Sequence, residues 1–297
     1  MDQASGSRPD DAQSGVPVCY RHAGRETGVR CTRCERPICP ECMVSASVGF
    51  QCPECVRNGS GTGHAPDANR PRTLAGGTVE ADPHLVTKVL MGLCVAVFVV
   101  QMAVGDRFTD RFSLLGLAYV PELGSVQGVA DGQPYRLLTS MFLHLDYFHI
   151  LSNMLSLWFI GRYVEEALGR TRYLALYLLS GLAGGALAYL LNEPNAPSLG
   201  ASGAILGVFG ALAVLMRQQR YDMRPIVAML VITLIITFGW SNISWEAHVG
   251  GFVGGAVIGL AMVHAPRSRR ALVQYGTCGL VLAAVVVVTL LRTAQLT

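Results

Sequence analysis

Seven long apolar stretches, roughly Leu85–Val104, Phe148–Gly161, Tyr173–Leu191, Gly200–Met216, Pro225–Trp240, Ala247–His264 and Leu272–Leu291, limit what this chain can become. A helix that crosses a bilayer needs about 20 apolar residues, with about 17 as the lower limit, so the shorter stretches are expected to extend into flanking sequence. With 51% hydrophobic and only 14% charged residues over 297 positions, the composition excludes an ordinary soluble protein of this length. The expected fold is an all-α polytopic membrane bundle. Ahead of Leu85 the chain is polar and rich in charge, so a separate region precedes the bundle.

The arginines orient the spans. Met1–Gly15 is polar and has neither the basic start nor the apolar core of a signal peptide, so the N-terminus is expected in the cytosol. The inside loops then carry Arg162, Arg170 and Arg172, next Arg217, Arg220 and Arg224, and finally Arg267, Arg269 and Arg270, while the short outside loops Asn192–Leu199 and Ser241–Glu246 hold no Lys or Arg. That asymmetry is the positive-inside pattern. An integral, multi-pass plasma-membrane protein is expected. The net charge of +3 and the lack of a basic run interleaved with aromatics give no reason to expect a nucleic-acid partner.

Strongly polar residues inside spans are costly and mark function by default. His149, Asn153, Ser202 and His248 all fall in the first turns of the second, fourth and sixth spans, hence at one depth near the outer face. His149 and Asn153 are four apart and share a helix face. Ser202 sits in Gly200-Ala201-Ser202-Gly203, where small neighbours leave its hydroxyl accessible and its N–H lies among the unpaired donors of a helix start. Gly251 and Gly255 follow His248 at i+3 and i+7, a spacing that lets two helix backbones approach and would bring His248 to Ser202. A serine beside a histidine base is a nucleophile for acyl transfer, and with no acid at this depth the pair is expected to act as a dyad. A Gly-x-Ser-Gly motif alone is a common helix-packing pattern; the combination is what points to chemistry. A carrier would show paired charges or broken helices near the midplane, and neither is evident.

From Leu85 to Leu291 these residues resemble the rhomboid family of intramembrane proteases. The elements are His144 with His149 and Asn153 in the second span, Gly200-x-Ser202-Gly203-Ala204 in the fourth, and His248 with Gly251 and Gly255 in the sixth, joined by Glu165 and Gly169 in a structural Glu-x-x-x-Gly element. The resemblance implies a bundle of six core helices plus a seventh, over 85–292. It implies Ser202 as nucleophile, His248 as base, and an oxyanion hole of His149, Asn153 and the Ser202 N–H, with His144 supporting the loop; no cofactor is expected for the chemistry. Substrates would be single-span or other transmembrane segments within the lipid bilayer, cut near the outer face. Tyr135-Arg136 stands where the family usually has Trp-Arg, and Leu206 where an aromatic often packs beneath the histidine. The alternative is a catalytically silent rhomboid-like protein that binds transmembrane clients; such proteins normally lack the serine or the histidine.

Seven of the nine cysteines lie between Cys19 and Cys55. They form four x2 pairs with one histidine: Cys19/His22, Cys31/Cys34, Cys39/Cys42 and Cys52/Cys55. Eight soft ligands suit two tetrahedral Zn²⁺ sites, whereas an odd cysteine count in the reducing cytosol disfavours a disulfide knot. The spacing resembles a B-box-type, cross-braced finger, which implies Cys19, His22, Cys39 and Cys42 on one ion and Cys31, Cys34, Cys52 and Cys55 on the other. A disordered tail over 1–17, a structural two-zinc module over 18–56 with a protein partner or regulatory role, and a flexible Gly/Pro-rich linker over 57–84 are therefore expected.

Overall fold

The computed structural model describes residues 16–58, 72–239 and 244–297. It divides into two compact units at Pro71/Arg72. Most of the tail expected over 1–17, the middle of the expected linker (59–71) and the segment 240–243 lie outside the described residues.

The first unit consists of two antiparallel ribbons, β1 (Val18–Cys19) with β2 (His22–Glu26) and β3 (Val44–Ser45) with β4 (Phe50–Gln51), followed by α1 (Pro53–Asn58). Its interior is made of sulfur: Cys19, Cys31, Cys39, Cys42 and Cys52 are buried, and Ile38 is the one aliphatic side chain among them. A domain of about 40 residues cannot build a sufficient apolar core and needs a covalent or metal staple. The Thr27 N–H donates to Pro17 O at 2.8 Å, so Pro17 belongs to this module rather than to the tail.

In the second unit α2 (Leu85–Val104) is followed by α3 (Asp106–Phe112), a hairpin of β5 (Ala118–Val120) and β6 (Ser125–Gln127), and α4 (Arg136–Thr139). Next come α5 (Tyr147–Ser156), a π turn at Leu157–Gly161 and α6 (Arg162–Leu168), which together form one unbroken helical segment. The remaining helices are α7 (Arg170–Leu191), α8 (Ser202–Gln218), α9 (Arg224–Gly239), α10 (Trp245–His264) and α11 (Arg270–Leu296). Each apolar stretch of the sequence is thus matched by a helical segment. Among the described residues four of them, including α2 and α11, are long and apolar enough to cross a membrane by length and composition alone. Only 28% of the α2 window and 17% of the α11 window is buried, so their apolar side chains face outward, which is tolerable only in lipid.

The 17-residue α8 is enclosed between α7 and α10. It rises about 25 Å, less than the ~30 Å hydrocarbon layer. Arg217 stands at the end of the helix opposite Ser202. Glycines set the spacing. A Cβ at Gly251 would collide with Gly203 O and one at Gly255 with Gly207 O, so α8 and α10 touch backbone to backbone. Gly184 and Gly250 play the same part between α7 and α10.

Two buried charges fix the ends. Glu165 accepts from the N–H groups of Val86 and Thr87, both at 2.8 Å, and from Thr87 Oγ1 at 2.7 Å, so a buried carboxylate caps the positive end of α2. Gly169, at φ 84°, makes the sharp break between α6 and α7 four residues on. In the loop, the fully buried Arg136 donates to Gln133 Oε1, to the carbonyls of Asp110 and Ser113, and to Gln127 Oε1, and so gathers α3, the hairpin and α4 around one guanidinium.

One correction follows. The linker does not run to residue 84. Ala75 is fully buried, its N–H donates to Ala167 O at 3.2 Å, and its carbonyl accepts from Gln274 Nε2 at 3.0 Å, so the segment from Arg72 is packed into the helical unit. At its other end α1 carries the first module on to Asn58. Three short ribbons accompany the helices.

The glycine seam gives a direct test. Gly255→Ala should lower stability by about 1–3 kcal/mol through overpacking. Gly276→Ala and Gly279→Ala on α11, where an added Cβ meets nothing within 4 Å, should be neutral or stabilising by up to about 1 kcal/mol. Thermal unfolding of the three variants in one detergent checks the contrast, and equal behaviour would refute the seam.

Candidate active site and metal centres

Ser202 is the first residue of α8, entered through Gly200 and Ala201. Gly200 has φ 130°, and a Cβ there would lie 2.8 Å from His149 Nε2 and 3.6 Å from Ser202 Oγ. Only glycine satisfies both the backbone angle and this approach. Its N–H donates to Ser140 O at 2.9 Å, and Ser198 pairs with Leu114 through two backbone bonds of 2.9 Å, so the entry to α8 is pinned to the preceding loop. His248 lies in the first turn of α10, which Ser244 caps by accepting from the Ala247 N–H. The close approach of Ala247 to Gly203 delivers the imidazole to the serine.

His248 Nε2 and Ser202 Oγ are 2.9 Å apart. The hydroxyl can therefore donate to the ring, which is the relation a general base requires. On the other side of the ring Nδ1 lies 2.7 Å from Thr237 Oγ1, a buried hydroxyl on α9. Nothing in the sequence pattern singled out Thr237.

Across from the dyad stands α5. Asp146 caps it by accepting from the His149 N–H at 2.8 Å, and the Leu145 N–H donates to His149 Nδ1 at 3.3 Å. With Nδ1 occupied as an acceptor, the neutral ring carries its proton on Nε2, the nitrogen that faces Gly200 and Ser202. Asn153 follows one turn later. It is buried, and its Nδ2 has no protein partner among the described residues. An orphaned buried amide of this kind calls for an explanation. The Ser202 N–H lies in the first turn of α8, ahead of the helical hydrogen-bond ladder. The His149 ring and the Ser202 side chain thus meet around Gly200, and Asn153 lies one turn on from His149 along α5. His144 is enclosed beside them; its ring packs edge-on against His149 at 5.1 Å, and its backbone is held by Gln101, whose Oε1 accepts at 3.0 Å and whose Nε2 donates at 3.2 Å. Tyr135 remains partly exposed against Phe112 and Arg136.

In the first unit the eight predicted ligands gather into two sets, Cys19, His22, Cys39 and Cys42, and Cys31, Cys34, Cys52 and Cys55, with the ligand atoms of each set within 4.8 Å of one another. That is the alternating arrangement of a cross-braced finger. Cys34 Sγ and Cys52 Sγ are 3.7 Å apart, and His22 Nδ1 lies 3.2 Å from Cys39 Sγ and 3.5 Å from Cys42 Sγ. Ligands about 2.3 Å (sulfur) and 2.0–2.1 Å (nitrogen) from one tetrahedral ion stand about 3.5–3.8 Å from each other, so the spacing fits. Burial opposes ionisation of Cys31, but the backbone N–H groups of Cys52, Arg33 and Cys34 outweigh it and lower the thiol to about 6, favouring the thiolate a metal needs. Both sets can hold a metal ion.

Comparison with known proteins agrees with the helical unit. Residues 131–265 match the rhomboid domain family. The chain is 37% identical over 132 residues to the rhomboid protease GluP of Bacillus subtilis (strain 168), covering 43% of this chain and 26% of GluP. It is 33% identical over 147 residues to YdcA of the same organism, covering 48% of this chain and 74% of YdcA. It is 29% identical over 222 residues to the inactive RHOMBOID-like protein 8 of Arabidopsis thaliana, covering 65% of this chain and 63% of that protein. The chain therefore spans only about a quarter of the length of GluP, while it spans most of YdcA. With 33% identity over 74% of YdcA, and with the paired serine and histidine and the glycine seam that joins their helices, the chain belongs to the rhomboid family of polytopic membrane proteins.

Proposed function

We propose that the chain is an intramembrane serine endopeptidase that cleaves transmembrane segments of other membrane proteins. The observation that carries this reading is the 2.9 Å contact between His248 Nε2 and Ser202 Oγ. In the proposed reaction Ser202 Oγ attacks the scissile carbonyl carbon while its proton passes to His248 Nε2. The carbonyl oxygen, now negative, accepts from the Ser202 N–H, His149 Nε2–H and Asn153 Nδ2–H. His248 then gives its proton to the leaving amine, and water activated by the same ring hydrolyses the acyl-enzyme. A peptide bond inside an intact helix has its carbonyl engaged, so the substrate must unwind locally first.

The arginine-bearing ends Arg162, Arg170, Arg217, Arg224 and Arg270 lie at the opposite helix ends from His149, Ser202 and His248. By the positive-inside rule this supports a cytosolic N-terminus and a site toward the outer face of the plasma membrane. The two sulfur-rich sets are read as structural Zn²⁺ sites. Four ligands each leave no open position, so the metal would supply folding energy to a regulatory or protein-binding module rather than chemistry.

Purified wild type, Ser202→Ala, His248→Ala and Asn153→Ala, assayed on a panel of single-span substrates, test the mechanism. Removal of Ser202 or His248 should lower kcat on the order of 10⁵-fold, to background. Loss of one oxyanion donor in Asn153→Ala should lower kcat roughly 10²-fold. Cleavage that survives Ser202→Ala would sink the reading, and a folded wild type that cuts nothing would favour a silent, client-binding protein.

For the metal, elemental analysis of the full-length purified protein should find about two zinc ions per chain. Cys52→Ser should lower that to about one, with Cys31, Cys34 and Cys55 no longer completing their set. Zinc absent from the wild type, with disulfides in its place, would overturn the assignment.

A further inference from the structure

The dyad uses one nitrogen of His248; the other has a partner on a third helix. For Ser202 Oγ to donate to Nε2, the neutral ring must carry its proton on Nδ1, and that N–H then requires an acceptor. Thr237 Oγ1 stands 2.7 Å away. Thr237 is 3% exposed and lies near the end of α9, so water does not compete for the contact. Its branched β-carbon restricts the side chain to few rotamers, which fixes where the oxygen points. No carboxylate does this work among the described residues. Glu246, on the same helix as His248, is engaged with Ser244, whose Oγ donates to its Oε2 at 2.9 Å.

We infer that Thr237 is the positioning residue of the site, accepting the Nδ1–H of His248 and thereby holding the ring in the tautomer and rotation that present Nε2 to Ser202. The inference rests on the reading of Ser202 and His248 as nucleophile and base. In serine proteases with a buried aspartate the third group both orients the histidine and stabilises the imidazolium charge. A neutral hydroxyl performs the first task and contributes little to the second. Its removal should therefore cost less than removal of an acid, on the order of 10-fold to 100-fold in rate.

An alkyl fluorophosphonate reads this without a known substrate. Ser202 Oγ attacks phosphorus, the P–F bond breaks, fluoride leaves, and the serine proton goes to His248 Nε2. Full-length wild type, Ser202→Ala, Thr237→Val, Thr237→Ala and Thr237→Ser are compared in detergent, with the saturation kinetics split into reversible binding and a maximal labelling rate. Thr237→Val and Thr237→Ala should each lower the maximal rate by about 10-fold to 100-fold with binding unchanged, and Thr237→Ser should return it to within a few-fold of wild type. Val and Ala are independent ways of removing the oxygen, and thermal unfolding shows which variants are folded. Wild-type labelling rates in a folded Thr237→Val or Thr237→Ala, or a Ser variant as slow as Val, would overturn the role of Thr237. Labelling of the wild type that does not depend on Ser202 would instead overturn the dyad reading, and this inference with it.

Discussion

Everything at the site depends on two helix backbones being in contact. Ser202 and His248 sit on α8 and α10, and ordinary side chains between those helices would hold the axes about 8–10 Å or more apart. Gly203, Gly207, Gly251 and Gly255 remove the spacers, so carbonyls of one helix rest where side chains of the other would be. Lipid offers no hydrophobic drive for helices to associate, and this contact is driven by close packing and small residues. Such a seam admits neither sliding nor separation by small amounts, because the backbone ridges interlock. The distance between Ser202 Oγ and His248 Nε2 is thereby set by the scaffold.

The same economy governs the opposite wall. On α5, Asp146 and the Leu145 N–H orient His149, while Asn153 keeps a buried donor open. The π turn that follows shifts the helical phase, so residues above and below it obey different facings. Above it the helix serves the site; below it Glu165 serves the cap of α2. One continuous segment thus meets two geometric demands that a uniform α-helix could not meet at the same spacing.

Much of this was readable from residue type alone, because a membrane makes polar groups conspicuous. His149, Asn153, Ser202 and His248 are exceptions in apolar runs, and glycines three and seven residues after a histidine announce a close helix contact. The zinc-type pairs are legible because chelation is local, each pair spanning one tight turn. Thr237 escaped notice for the opposite reason. A threonine in an apolar helix ordinarily bonds its own backbone, and only the fold brings it to His248. The packed segment from Arg72 was also hidden. Its glycines read as flexibility, whereas its partners Ala167, Arg270 and Gln274 lie far along the chain, and Gly76 and Gly77 are small because Arg270 and Leu168 O crowd them. The π turn and the loop hairpin have no signature in hydropathy.

Arg136 gives the loop between α2 and α5 an unusual permanence. A guanidinium stays charged at any pH a cell meets, and here it is wholly enclosed, with its donors committed to four partners. Displacing any partner would strand a buried cation, so the surrounding turns move together or not at all. A transmembrane client arriving through the lipid would then meet a border already shaped, whose ordering entropy was settled when the protein folded. Under the proposed function, discrimination among clients would fall on their own willingness to deform, a rigid frame selecting by the mechanical weakness of its guest more than by the letters of its sequence.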